Sequence, residues 1–85
     1  KTMEVVQEVK NRLMITGNFH DNLLLGYIED VKQFLISGGV KKSIVESEKS
    51  IGAIAKGVSD LWLNGAFSET FKMRVVQLTF EVEDV

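Results

Sequence analysis

The chain has 85 residues, of which ten are lysine or arginine, twelve are aspartate or glutamate, one is histidine and none is cysteine. The lack of cysteine excludes disulfides and thiolate metal sites and indicates intracellular assembly, and a single histidine cannot form a histidine cluster. The net charge of -2 argues against a protein that wraps duplex DNA, because such proteins use many positive charges to release counterions.

This length predicts one domain over residues 1–85, which would hide only ~60% of the surface of its unfolded chain. Because a core of that size gives a thin stability margin, association between copies would help. No apolar run reaches the ~20 residues of a membrane span, and proline is absent. We therefore expect a soluble domain without a membrane segment or a proline-rich linker.

The first predicted helix runs from Met3 to Leu13. Thr2 can cap its first turn, and its apolar residues recur every three or four positions, as on one face of a helix. The connection that follows, Met14 to Gly17, is short. Short connections between helices favour antiparallel neighbours.

The clearest helix pattern spans Asn18 to Gly39, with Asn18 as the candidate N-cap and a glycine pair at its end. Its apolar stripe covers roughly 140° of arc, which is wide enough to contact more than one neighbour. The stripe consists of Leu23, Leu24, Tyr27, Ile28, Val31, Phe34 and Leu35. Leu25 and Ile36 lie beside it, where a monomer would carry polar residues, and we predict that they contact another subunit.

A third helix is predicted from about Ser47 to Leu63, with Ser43 as an alternative start. Each glycine inside it costs about 1 kcal/mol of helix propensity against alanine, so something should offset that loss. Small residues share one side of this helix, namely Gly52, Ala55 and Ser59. Either another helix approaches closely there, which would make these residues part of a subunit interface, or the glycines provide flexibility.

The C-terminal segment fits two patterns. Ser68 can cap a helix that extends to about Thr79, whereas residues 75–83 alternate between apolar and polar as a half-buried strand does. We favour the helix, because a strand would have no second strand in this chain to pair with. If the strand formed, its partner would come from another chain, so Phe80 and Val82 are candidate partner-docking residues.

The residues point to no catalytic centre, cofactor or metal. The glycine pair Gly38-Gly39 lacks the strand, spacing and hydroxyl of a phosphate-binding loop, and His20 has no serine or cysteine nucleophile in a recognisable setting. A basic cluster is a candidate for contact with DNA, although acidic residues dilute it. It consists of Lys41, Lys42, Lys49 and Lys56. We therefore predict a non-enzymatic all-α bundle of three main helices plus a C-terminal helix, with spare apolar surface.

Four stretches of the sequence resemble a known family. Val9-Lys10-x-x-Leu13-x-Ile15 closes the first predicted helix, and Asp21-x-Leu23-Leu24-x-x-x-Ile28 opens the second. The third helix carries Ser47-Glu48-Lys49-Ser50-Ile51-Gly52 and Val58-Ser59-Asp60-Leu61-Trp62, and the last segment carries Phe67-Ser68, Phe71-Lys72 and Val75-x-Gln77-Leu78. In these stretches the chain resembles the small head-tail connector proteins of tailed bacteriophages, known as gp6-like connectors or phage DNA-packaging proteins.

The resemblance implies a structural protein that forms a ring of identical subunits below the portal, lines the DNA passage without sequence-specific binding and docks later connector or tail proteins. It also implies a virion protein of the head-tail junction that assembles in the cytoplasm of the bacterial host. The alternative function is a small DNA-binding regulator in which the second and third helices form a helix-turn-helix. In that alternative, affinity for DNA would depend on the lysine cluster and fall steeply with salt.

Overall fold

A computed structural model describes residues 2–81 and confirms the predicted all-α class. Its helices are α1 (Thr2–Leu13), α2 (Asp21–Ser37), α3 (Lys42–Val45), α4 (Ile51–Asn64) and α5 (Glu69–Thr79), with a 3₁₀ turn at Glu48–Ser50. No residue between 2 and 81 is in a strand. Helix α4 lies at the centre and packs against α1, α2 and α5, so the three long helices and the C-terminal helix form the predicted bundle.

Helix α1 ends in a left-handed turn at Met14, whose φ is 59°. The amide of Ile15 donates to the carbonyl of Lys10 at 2.9 Å, and the amide of Met14 donates to the carbonyl of Asn11 at 3.4 Å. This is the hydrogen-bond pattern of a Schellman motif, and the residue at the position of Met14 in such a motif is usually glycine. The chain thus makes a sharp reversal with a residue that is strained there.

The start of α2 differs from the prediction. The N-cap is His20, which makes no side-chain cap hydrogen bond, and α2 begins at Asp21. Asn18 is not the cap, because its side-chain oxygen instead accepts a hydrogen bond from Lys10 Nζ at 3.3 Å. At the other end the prediction of a glycine stop is confirmed, since Gly39 has a φ of 100° and Val40 folds back to donate to the carbonyl of Leu35.

The predicted third helix is broken at its N-terminal end. A four-residue helix, α3, comes first, and Ser47 caps the 3₁₀ turn rather than a long helix. The buried hydroxyl of Ser50 donates to the carbonyl of Val45 at 2.6 Å, a carbonyl that a straight helix would have used internally. Because the helix is interrupted after α3, Ile44 and Val45 point into the core, where both side chains are buried.

Gly57 explains how α4 can lie between its neighbours. A Cβ atom at Gly57 would lie 2.7 Å from Phe71 Cε1 and 3.0 Å from Val31 Cγ1, so α2 and α5 approach closer than any side chain would allow. Close approach is therefore what offsets the helix propensity lost at this glycine. This close approach lies inside the subunit and on a different side of α4 from Gly52, Ala55 and Ser59.

Helix α5 begins where it was predicted to begin. Ser68 is its N-cap, and the Ser68 hydroxyl accepts a hydrogen bond from the amide of Phe71 at 3.2 Å. The strand alternative is wrong for residues 75–79, which are helical, and Phe80 is the C-cap. Val82, the other candidate docking residue, lies outside the described residues.

Candidate interaction surfaces

The corner between α4 and α5 is fixed by a buried carboxylate. Asp60 Oδ2 accepts hydrogen bonds from the Ser68 amide at 3.0 Å and the Ser68 hydroxyl at 2.7 Å, and Asp60 Oδ1 lies 3.0 Å from Lys56 Nζ. Burial acts to raise the pKa of Asp60, but the hydrogen bonds from Ser68 and the charge of Lys56 outweigh it, so this pKa lies below its ordinary value. The charged carboxylate therefore holds the first turn of α5 against α4.

Helix α5 has two apolar faces. Phe71, Val75 and Leu78 point into the core, where all three are buried. On the other side, and roughly 170° away at 3.6 residues per turn, are the three residues that we call the outer stripe. The outer stripe consists of Met73, Val76 and Phe80, which are 57 to 79% exposed. A soluble helix normally carries polar residues on the side that faces water, so this stripe is a candidate contact surface.

A second exposed apolar surface lies where the start of α2 meets the end of α4. Its core is a ladder of rings: Phe19 packs edge-on against His20 and His20 against Trp62, with centroids 5.0 Å apart in each pair. Trp62 is partly buried against the core, whereas Phe19 is 92% exposed. We call Phe19 and its exposed apolar neighbours the Phe19 patch, which adds Leu23 from the first turn of α2 and Leu63, next to Trp62 in sequence.

The loop that carries Phe19 is held by the buried side chain of Lys10. Lys10 Nζ donates to the carbonyl of Gly17 at 2.8 Å and to Asn18 Oδ1 at 3.3 Å, and it forms an ion pair with Asp21. One ammonium thus ties helix α1 to both the loop and the first turn of α2. These contacts hold the loop in the conformation in which Phe19 is exposed.

Leu25 and Ile36, the predicted subunit contacts, offer little free surface. They are 37% and 39% exposed, so most of each side chain is covered by its own subunit. Lys32 lies between them on the same side of α2, is buried, and pairs with Glu46 at 3.6 Å. The segment after α2 therefore covers the middle of this side.

The small-residue side of α4 mostly faces the rest of the subunit. Ala55 is fully buried, so its prediction as an interface residue is corrected: it packs in the core of its own domain. The guanidinium groups of Arg74 and Arg12 cover Gly52, at 3.4 Å and 3.9 Å from the place of a Cβ atom. The hydroxyl of Ser59 donates within the helix to the carbonyl of Ala55 at 2.9 Å.

The structure divides the four lysines of the predicted DNA-facing cluster. Lys49 Nζ lies 3.4 Å from Glu81 Oε1, and Lys56 pairs with the buried Asp60. Lys41 and Lys42 are exposed at the start of α3. The predicted third helix corresponds to α4, which packs against α1, α2 and α5 at the centre of the bundle and is not an exposed recognition helix, so the geometry does not favour the helix-turn-helix alternative.

Sequence reasoning named Phe80 as a docking residue, but it missed Met73 and Val76 of the outer stripe and it missed the Phe19 patch. The outer stripe was visible as the spacing of three and four between Met73, Val76 and Phe80, but two of these residues also fitted the alternating strand pattern. No sequence signal separates Phe19 from an ordinary buried aromatic residue. Its exposure follows from the Lys10 contacts, which depend on how α1 and α2 meet.

Two searches for particular sites found nothing within residues 2–81. No three or more His, Asp or Glu side chains in that range are grouped so that they could hold a metal ion. No helix in the same range is long and apolar enough to cross a membrane.

The fold and its surfaces define a small helical domain whose notable features are contact surfaces. Residues 3–81 match the family model described as phage gp6-like head-tail connector protein. This match spans nearly the whole chain, so the chain belongs to the gp6-like head-tail connector family and is a structural component of a phage virion. A search of curated proteins and a search of solved structures found no significant match.

Proposed function

We propose that the chain is the repeating subunit of a ring that sits below the portal, surrounds the DNA passage and docks later connector or tail proteins. The observation that carries the proposal is the family match over residues 3–81. The outer stripe and the Phe19 patch support it, because a chain that only folded as a monomer would gain nothing from exposing them. Assembly takes place in the cytoplasm of the bacterial host, and the assembled protein lies at the head-tail junction of the virion.

Four of the predicted interface residues retain some exposed surface and stay in this proposal, namely Leu25, Ile36, Gly52 and Ser59. Phe80, within the outer stripe, is the docking residue that lies in the described chain, and Val82 follows it in sequence. We assign contact with another chain to this end of α5.

The lysines fit a passage that DNA must traverse without adhering. Lys41 and Lys42 face the DNA in this proposal, while carboxylates neutralise Lys49 and Lys56. Only weak, salt-sensitive attraction to phosphates remains, since each lysine that binds a phosphate releases about one counterion. The affinity for DNA should therefore be weak and should not depend on the DNA sequence.

The mass of the protein in solution tests the proposal. We expect large discrete species as concentration rises, or on addition of the portal protein, measured by mass photometry and analytical ultracentrifugation. A chain that stays monomeric in both settings would contradict the function.

A double variant tests the α2 contact separately. Leu25→Lys with Ile36→Lys places charge at two partly exposed positions and should block assembly while leaving the helical circular dichroism intact. Gln33→Lys, an exposed position elsewhere on α2, is the control. If the double variant assembles as well as this control, Leu25 and Ile36 are not at the interface.

A further inference from the structure

The two exposed apolar surfaces lie at opposite ends of α4. Helix α5 runs antiparallel to α4, because Ser68 is bonded to Asp60 near the end of α4, whereas Arg74 covers Gly52 in its first turn. Glu81, next to Phe80, reaches Lys49 just before α4 begins. The outer stripe therefore lies beside the first half of α4.

The Phe19 patch lies at the last turn of α4, where His20 contacts Trp62 and Leu63 follows. Since α4 has 14 residues, the helix separates its two ends by about 20 Å. A single neighbouring subunit that docks on one of the surfaces leaves the other free. A chain with two such surfaces can bind one neighbour at each end.

The sizes of the two surfaces match each other. A large apolar side chain presents about 200 Å² when fully exposed, so the outer stripe and the Phe19 patch each present roughly 400 Å². Packed together they would bury roughly 800 Å² of apolar surface, and with the polar rim of an ordinary interface about 1,300 Å² in total. That area lies within the range of specific, stable protein interfaces.

We propose that the outer stripe of one copy packs on the Phe19 patch of the next copy, in a head-to-tail contact. This inference rests on the proposed ring function and names the partner of the outer stripe as a second copy of this chain. A contact between two different surfaces repeats from copy to copy and forms a ring when the rotation between copies closes, whereas a contact of the outer stripe with itself stops at two copies. The head-to-tail contact also leaves neither apolar surface exposed.

Two single variants separate the surfaces. Val76→Glu places a charge in the middle of the outer stripe, and Phe19→Glu places one in the Phe19 patch. Both positions are exposed in the subunit, so the helical circular dichroism should not change. Met73→Glu and Leu63→Glu repeat the test at a second position of each surface, and Gln33→Glu is a control with the same charge outside both.

The decisive measurement is the mass of each variant alone and of the two mixed in equal amounts, at a concentration where the wild-type chain assembles. Each variant alone should remain monomeric, because the head-to-tail contact needs both surfaces, and the small exposed areas of Leu25 and Ile36 do not hold two copies together by themselves. The mixture should form a dimer and nothing larger, since the intact stripe of Phe19→Glu meets the intact patch of Val76→Glu once. Gln33→Glu should form the wild-type species.

Different outcomes contradict different proposals. Wild-type-sized species from either single variant, a Phe19→Glu dimer formed on its own, or a mixture that stays monomeric would overturn the head-to-tail contact and leave the ring function standing. A wild-type chain that stays monomeric with and without portal protein would overturn both.

Discussion

Replacing Gly57 with alanine should destabilise the domain although alanine is the better helix former. The new methyl group would gain about 1 kcal/mol of helix propensity. It would also lie 2.7 Å from Phe71 Cε1 and 3.0 Å from Val31 Cγ1, both on fully buried side chains. Overpacking of a core costs about 1–3 kcal/mol, and here the cost should be near the upper end.

The reason for the high cost is that Phe71 cannot move aside. Its ring centroid lies 4.6 Å from that of Phe67 and 5.7 Å from that of Phe34, so any shift of Phe71 displaces two more rings. The net loss from Gly57→Ala should be about 2 kcal/mol, which lowers the melting temperature of a domain of this size by roughly 8–16 °C.

Gly26→Ala is the matched control. Gly26 also lies inside a helix, but a Cβ atom there meets no atom within 4 Å, so only the gain in helix propensity remains. We expect Gly26→Ala to stabilise the domain by about 0.5–1 kcal/mol. Urea unfolding followed by circular dichroism and by the fluorescence of Trp62 measures both changes. If Gly57→Ala were as stable as Gly26→Ala, close helix packing would not be the reason for the glycine.

Three further substitutions test the loop and the α4–α5 corner. Met14→Gly should raise the free energy of unfolding by about 1 kcal/mol, because glycine adopts the positive φ without strain, while Met14→Ala should change it little. Lys10→Met should cost about 1–3 kcal/mol by leaving the partly buried Asp21 without its cation, against a few tenths for Arg12→Met in an exposed pair, both measured by urea unfolding. The pKa of Asp60 is lowered in the folded state, so the contribution of this carboxylate to the free energy of unfolding is complete above about pH 4 and is lost as the pH falls through the folded-state pKa. The difference in free energy of unfolding between wild type and Asp60→Asn should therefore shrink below about pH 4. A difference that stays constant down to pH 2 would refute this reasoning.

Helix existence and type could be read from the sequence, because each long helix has a regular apolar spacing and a stop signal. The N-terminal ends of two helices differed from the prediction, because the residue that caps a helix depends on tertiary contacts. Asn18 has the right residue type for an N-cap, yet the ammonium of Lys10 binds its side chain. Ser47 also has the right type, but it caps a 3₁₀ turn because Ser50 bonds back to Val45.

Which side of a helix is exposed depends on which neighbouring segments cover it. The apolar pattern of the sequence alone does not determine those neighbours. Ala55 and Gly52 looked equivalent as small residues on one side of the third helix. In the folded domain Ala55 is fully buried, whereas Gly52 lies under two arginine side chains. Leu25 and Ile36 were identified because they lie off the main stripe, but in the folded domain they are only 37% and 39% exposed.

The ambiguity of the last segment has the same origin as its proposed role. Helix α5 carries apolar residues on two opposite sides, and within residues 75–80 such a helix resembles an alternating strand, because both place apolar residues at positions 76, 78 and 80. A helix that buried one side only would not have been mistaken for a strand. Since Phe71, Val75 and Leu78 fill the core side of α5, the mostly exposed Met73, Val76 and Phe80 add little to the fold of the isolated subunit. The proposed contact with another copy accounts for their apolar character, which is why the mixed-variant experiment is directed at this helix.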